Sequence, residues 1–325
     1  KNLGLKTLID ICQIESKTST YHLGYIIGPR INAGGRVGKC SHGANLLLND
    51  SAKESFRIAA ELEKFNTERK KLEKDLLNVA LNTLNKSTND PVLIIQGKNW
   101  HEGVIGIIAS RIKDKFNKPT IIISLNKNIG KASARSVVGF DMGAAILAAL
   151  QNKLLIKGGG HKMAGGFSIE LDNIEKFKEF IIKKFNTKVN ISLKKNCLYL
   201  DGLISSAAIN LDFYEKINKL APFGSGNPEP KFLIEKVRVI KSLVVGEKHI
   251  KSILVTKDGS NIKTIAFNSY ETDLGQFLLN NRTNIFNIAG KLSLNEWKGE
   301  KNVEFIIDDI SVIKNQKKQV PSSIG

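Results

Sequence analysis

Apolar residues recur at helical spacing over one long stretch and in short β-branched runs over others, and the change of period divides the chain. From 51 to 86, Ile58, Leu62, Phe65, Leu72, Leu76 and Val79 fall at spacings of four, three and seven. That is one stripe along an α-helix, with Lys and Glu on the opposite face. Ser51 followed by Glu54 has the form of a capping box at its start. At 1.5 Å per residue such a helix would be about 50 Å long, enough to join two domains. Ahead of it, residues 1–50 read as a short helix bearing Leu3, Leu5, Leu8 and Ile9, then a glycine-rich loop from Gly28 through Pro29, Arg30 and Asn32 to Gly35 and Arg36.

Between 87 and 190 strand and helix alternate. Val92-Leu93-Ile94-Ile95 and Thr120-Ile121-Ile122-Ile123 have the β-branched texture of buried strands. An apolar helix from Val104 to about Phe116 separates them and is entered through His101-Glu102-Gly103. A further strand carries Ala132-Ser133-Ala134-Arg135-Ser136, a helix opens near Asp141, and an amphipathic helix runs from about Asp172 to Phe185. This is an α/β domain. Over 191–313 the elements become short strands separated by turns: Lys236–Val245, Ser252–Val255, Ile262–Phe267, Asn284–Leu294 and Val303–Ile310, with one helix near Tyr270–Leu279. Five strands with a helix in the later half suit a small barrel of the oligonucleotide-binding type. Phe232 and Phe267 are expected in its core, and Trp297, flanked by Glu296 and Lys298 in a polar turn, is the stacking candidate. Residues 314–325 are expected to be disordered.

Composition adds a charge. The net charge is +18 and the pI about 9.7, a surplus that recruits polyanions. Lysine supplies most of it, as a compositional bias of the genome also could, so the charge alone leaves both readings open. Arginine is the scarcer residue: Arg30, Arg36, Arg57, Arg69, Arg111, Arg135, Arg238 and Arg282 are the whole set. Arg30, Arg36 and Arg135 stand beside Gly and Ser, where a bidentate guanidinium matters. Cys12, Cys40 and Cys197 are far apart without metal-ligand spacing, as expected of reduced thiols in a cytosolic protein. No apolar run is long enough to span a bilayer, so no membrane role is expected. The chain opens mid-pattern on Lys1, as a fragment lacking its N-terminal portion would.

The densest chemical signal is Gly158-Gly159-Gly160-His161-Lys162-Met163-Ala164-Gly165-Gly166, five glycines in nine residues. Glycines at this density let the backbone approach a ligand and aim several N–H groups at one anion, and His161 and Lys162 add side-chain donors suited to phosphate. Alone, the run marks a phosphate or nucleotide site. His101 reads as a helix cap or a cleft residue and His22 is similar, while His42 and His249 belong to no motif.

Taken in order, Tyr21-His22-Leu23-Gly24, the Gly28–Arg36 segment, Trp100-His101-Glu102-Gly103-Val104-Ile105-Gly106, Ser133-Ala134-Arg135-Ser136, the Gly158–Gly166 run and Ala221-Pro222-Phe223-Gly224 resemble the RecJ family. These are single-strand-specific DNA exonucleases of the DHH phosphoesterase superfamily. The resemblance covers residues 1 to about 312. It implies a DHH-associated α/β domain joined by the long helix to the tail of a DHH core, followed by an all-β OB-type barrel. It implies 5′-to-3′ exonuclease activity on single-stranded DNA in repair and recombination, in the cytoplasm, with single-strand-binding protein and a helicase as partners. Mn²⁺ or Mg²⁺ would be held by Asp and His clusters of a DHH core. No Asp-His-His run appears here, so the resemblance assigns this chain the substrate-holding part and no metal ligand.

By the same resemblance, Arg30, Ser133 and Arg135 grip the terminal 5′-phosphate or nearby backbone, with Arg36 and Ser136 beside them. His161 approaches the scissile phosphate and stabilises developing charge. Gly158, Gly159, Gly160 and Lys162 supply donors and clearance. Two other functions share the motifs. One is a non-catalytic nucleic-acid-binding module of the alanyl-tRNA-synthetase type, against which the barrel argues. The other is an oligoribonuclease or nucleotide phosphatase of the same superfamily, which is normally shorter.

Overall fold

A computed structural model describes residues 2–15, 18–84, 89–188, 197–281, 283–297 and 300–313. They fall into two units, 1–196 and 197–325. The first begins with α1 (Leu3–Ile11), whose N-cap Asn2 side chain accepts from the Leu5 amide. A π-helical segment, His22–Ile27, runs directly into α2 (Gly28–Val37). The expected glycine-rich loop is therefore a helix. Pro29 sits in its first turn, where its fixed φ suits a helix and its missing N–H costs nothing. Packing then overrides the low helix propensity of glycine: a Cβ on Gly34 would fall 2.6 Å from the Lys39 carbonyl oxygen.

After α3 (His42–Leu48) comes α4 (Ala52–Leu84), the long helix. Its first half shares a core with Leu8, Ile27 and Leu46 through Ile58, Ala59 and Leu62. Its second half inserts Leu76, Ala80 and Leu84 into another core. Val79, expected on the stripe, is half-exposed, because the inward position after Leu76 is the i+4 residue Ala80. The Ser51 hydroxyl accepts from the Glu54 amide at 3.4 Å, but the Glu54 carboxylate turns to Arg57, so only half of the capping box forms.

The α/β part follows as β1 (Leu93–Lys98), α5 (Glu102–Phe116), β2 (Thr120–Asn126), β3 (Ile129–Arg135), α6 (Met142–Gln151), β4 (Lys157–His161), β5 (Ala164–Glu170) and α7 (Ile174–Lys188). Its sheet has the order β1-β2-β3-β5-β4, with β1 and β2 parallel and the other pairs antiparallel. Alternation along each strand sends apolar side chains both ways. Ala132, Ala134, Phe167 and Ile169 share a core with Ile146 of α6 and Ile174, Phe177 and Ile181 of α7. On the other face, Leu93, Ile95 and Ile122 meet Val104, Ile105, Ile108 and Ile112 of α5 and the end of α4. The glycine run is therefore the β4–β5 hairpin and not a free loop.

The second unit carries β6 (Gly202–Leu203), α8 (Leu211–Asn218), β7 (Phe232–Val245), β8 (His249–Val255), β9 (Asn261–Ala266), α9 (Asp273–Asn280), β10 (Phe286–Trp297) and β11 (Glu300–Val312). Strands β7, β8, β9, β11 and β10 form a continuous sheet that the β10–β7 pairing closes into a barrel. The β9–β11 pair is parallel, and β6 adds to the free side of β7. Phe286, Phe305, Ile234, Ile250, Leu254 and Leu278 fill the interior. Phe232 is buried as expected, but Phe267 is 51% exposed and packs edge-on against His249. It lies just past the end of β9, where the chain has left the barrel wall. The expected disorder of 314–325 lies outside the described residues, and no described helix is long and apolar enough to cross a membrane.

Candidate nucleic-acid interface

One open cleft of about 1010 Å³ in the first unit gathers Arg36, Ser133, Arg135, Gly158 and Gly159. Its floor is the part of the sheet that α5 leaves uncovered. Register aligns three cross-strand rows there: Arg135–Ala164–His161, Ser133–Gly166–Gly159 and Lys131–Ser168–Lys157. Residues paired across antiparallel strands point to the same face of the sheet; the second and third rows line the cleft throughout, and the first contributes Arg135. The rows lie about 7 Å apart, two residues of strand rise. A Cβ on Gly159 would meet nothing within 4 Å, and one on Gly166 only the Ala132 carbonyl oxygen at 3.4 Å, so the middle of the floor is bare backbone. As a sheet edge, β4 also turns alternate N–H groups away from β5.

The other glycines of the run serve the packing behind the floor. A Cβ on Gly158 would lie 2.8 Å from Phe167 Cβ and 2.9 Å from Ile146 Cγ2, and one on Gly165 2.4 Å from Ile146 Cδ1. A Cβ on Gly160 would stand 2.4 Å from the Ala164 carbonyl oxygen of its own hairpin. By alternation Gly160 lies on the face of β4 opposite to Gly159, and it is not among the residues lining the cleft.

The wall is made where the end of α2 meets the start of α5. Here Gly103 is required: a Cβ would fall 2.1 Å from the Arg36 carbonyl oxygen. The resulting approach lets Arg36 Nη1 donate to the Gly103 carbonyl at 3.1 Å, which holds the guanidinium at the rim. Arg135 is braced by donating to Ser133 Oγ at 3.1 Å and to the Ala134 carbonyl at 2.8 Å. Gly106 leaves it room, since a Cβ there would stand 3.1 Å from Arg135 Nη2. Burial, and after it the positive charge of Arg36, pushes the Arg135 pKa down. A guanidinium stays protonated regardless, so the strain appears as an unmet demand for negative charge. Among the described residues neither arginine has a carboxylate partner; Glu102, the acid lining the cleft, pairs with Lys131 at 2.9 Å. Two like charges are thus held together over a bare glycine floor, as an anion site requires.

The other predicted residues stand elsewhere. Arg30 pairs with Glu63 of α4 and donates to the Ile26 carbonyl at 2.8 Å, so both sides of its fork are occupied within the helical part. Ser136 is buried, its hydroxyl donating to the Phe140 carbonyl at 2.6 Å. Lys162 lies in the hairpin turn, where its carbonyl accepts from the Met142 amide at 3.0 Å. His161 is exposed and not among the residues lining the cleft, and its Nδ1 accepts from the Met163 amide at 3.3 Å. His101 is the N-cap of α5, its Nδ1 accepting from the Gly103 amide at 3.2 Å. The Trp297 side chain and Lys298 lie outside the described residues. Among the described residues, no group of three or more His, Cys, Asp or Glu is placed to hold a metal.

Sequence reasoning missed Asn32, Lys131, Lys157 and Ser168, which also line the cleft. The signal was present: Lys131 precedes Ser133, and Lys157 precedes Gly159, by two residues. Treating 157–161 as a strand would have put each pair on one face.

Residues 89–187 match the DHHA1 domain, and residues 200–309 the RecJ OB domain. The single-stranded-DNA-specific exonuclease RecJ of Salmonella typhimurium is 32% identical over 317 residues, 94% of this chain and 54% of the relative. RecJ of Bacillus subtilis is 28% identical over 95% of this chain and 39% of its own length. The chain therefore spans about half the length, or less, of these curated relatives. The crystal structure of Thermus thermophilus RecJ in complex with Mg²⁺ superposes with a TM-score of 0.80 at 25% identity, covering 96% of this chain and 46% of that one. In sequence and in fold this chain is RecJ-like along nearly its whole length, a DHHA1 domain followed by a RecJ OB domain.

Proposed function

We propose that the chain is the substrate-holding part of a 5′-to-3′ exonuclease acting on single-stranded DNA, with the cleft receiving the 5′-terminal phosphate. The observation that carries this reading is the pairing of Arg36 with Arg135, without a carboxylate partner, over Gly159 and Gly166. Ser133 Oγ accepts from Arg135 and can donate its own proton to a phosphate oxygen. The guanidinium forks and hydroxyl then fix the strand's end and set its register without reading base sequence.

His161 closes the Arg135 row on the opposite strand, about 10 Å across two strand spacings. That is a suitable distance for a donor that meets the next phosphodiester while the arginines hold the first. The glycines between them leave the strand's backbone room to cross the floor. The barrel's topology suits non-specific binding of the remaining single strand.

Mg²⁺ or Mn²⁺, held by residues outside this chain, would activate water and neutralise the leaving oxyanion. The residues described here bind and orient; by themselves they are expected to hold DNA and leave it uncut. Repair and recombination, in the cytoplasm and beside single-strand-binding protein and a helicase, is the setting that the family likeness suggests.

The test is digestion of single strands labelled away from the 5′ end, using the complete protein that carries this chain, with and without Arg135→Ala. Loss of one charge-assisted contact should slow digestion of 5′-phosphorylated strands by about 10- to 100-fold. An unchanged rate on such strands would remove the cleft from the mechanism.

A further inference from the structure

The outer wall of the barrel carries a surface of its own. Register puts Lys241–Ile253–Lys263 in one cross-strand row over β7, β8 and β9, and Leu243–Lys251–Ile265 in the next. One step further, Val245 pairs with His249, and Phe267 stands beside His249 just past the end of β9. The alternating residues of β8 and β9, among them Ile250, Leu254, Ile262 and Ala266, are buried in the barrel. Alternation therefore sends His249, Lys251, Ile253, Lys263 and Ile265 outward, and Phe267 follows them after Ala266.

Phe267 is the exposed one among the described phenylalanines of this unit, and yet it is held in place. His249 meets it edge-on, with ring centroids 5.2 Å apart and planes at 75°. The Nδ1 of that histidine accepts from the Asn268 amide at 2.8 Å, and Asn268 takes a left-handed φ of 52°, which turns the chain away directly after the ring. Charge on this face is mostly of one sign. Lys241 and Lys263 have no ion-pair partner among the described residues, and Lys251 pairs with Glu304 of β11 at 3.0 Å. In the turn between β7 and β8, Lys248 offsets Glu247.

We infer that a base of the single strand stacks on Phe267, braced by His249, while Lys241, Lys251 and Lys263 meet the flanking phosphates. The inference rests on the reading above that the barrel holds the remaining strand, and deepens it by naming the face and the ring. Three features carry it. A half-exposed ring that is already ordered gives any base a flat apolar surface, irrespective of sequence. Lysines alternate across the face with Leu243, Ile253 and Ile265, which matches a ligand whose charged groups alternate with flat apolar ones. Strands β8 and β9 are the second and third of the barrel, the face that this topology offers to oligonucleotides.

The test is binding of the chain to an oligothymidylate of about 15 nucleotides with a 5′-hydroxyl, followed by anisotropy over a range of salt. Such a strand brings no terminal phosphate to the cleft. Phe267→Ala should weaken binding about tenfold, the loss of one stacked base, with the salt dependence unchanged. Phe267→Trp should bind at least as tightly as the wild type. Lys263→Gln should instead lower the log–log salt slope by about 0.7, the share of one phosphate. Phe56→Ala removes an equally exposed ring from α4 in the other unit and should change nothing. Wild-type affinity in Phe267→Ala would overturn the inference, and is the result expected if the face holds an acidic peptide instead. Equal losses in Phe267→Ala and Phe56→Ala would overturn it as well. Failure of the underlying reading looks different, since the wild-type chain would then not hold the hydroxyl strand at all. The cleft is read separately: a preference for 5′-phosphorylated strands should persist in Phe267→Ala. Thermal unfolding of each variant confirms the fold, and Phe267→Trp and Lys263→Gln keep the test decisive should the alanine variant be unstable.

Discussion

Arg135 and Ser136 are sequence neighbours with opposite surroundings, and the end of β3 separates them. Arg135 is the last residue of the strand and faces the cleft. Ser136 has left the strand, and its buried hydroxyl ties the following turn by donating to the Phe140 carbonyl. Ser136→Ala should therefore cost about 1 kcal/mol of stability and leave phosphate affinity unchanged. Denaturant unfolding alongside phosphate titration checks both halves; lost affinity at wild-type stability would return Ser136 to the site. Alternation along a strand made Ser133 and Arg135 legible as one unit, but where the strand stops was not legible. Arg30 was beyond sequence reasoning for a different reason. Its acceptors are a carboxylate 33 residues away and a carbonyl one helical turn back, and only the fold brings the first within reach.

The glycine-rich segments show why element type was harder to read than chemistry. Glycine has low propensity for helix and strand alike, so both runs look like loops. In each, neighbouring atoms come too close for a side chain: α2 meets the Lys39 carbonyl through Gly34, and the hairpin meets the Ile146 side chain of α6 through Gly158 and Gly165. The alternation within the hairpin makes a sharp prediction. Gly158→Ala, pressed against Phe167 and Ile146, should destabilise the protein by about 1–3 kcal/mol. Gly159→Leu, opening into empty space on the other face, should keep the melting temperature within a few degrees while blocking phosphate binding. Equal loss of stability in the two variants would contradict the two-faced hairpin. The strands of the barrel and the helices α4 to α7 were legible to within a few residues, because β-branched runs and amphipathic spacing are local properties. The strand β6 is only two residues long and was not anticipated, and α8 was missed although Asn210 caps it and Ile209, Phe213 and Ile217 recur at helical spacing.

At the scale of the whole molecule, the change from helical spacing to short strands near residue 197 coincides with the division into two units. The +18 charge by itself did not point to one site. The site became specific once arginines without acidic partners were found over a glycine floor. Binding of single strands should have two components: a salt-sensitive one spread over backbone phosphates, and one confined to the 5′ end. The central claim concerns the second, and the ratio of two affinities isolates it, because everything common to both ligands cancels. The measurement is fluorescence anisotropy of the chain with a short single-stranded oligonucleotide carrying either a 5′-phosphate or a 5′-hydroxyl, at one salt concentration. The phosphorylated strand should bind about tenfold or more tightly, and Arg135→Ala should erase that preference while the hydroxyl strand binds as before. Equal affinity of the wild-type chain for the two strands would contradict the account.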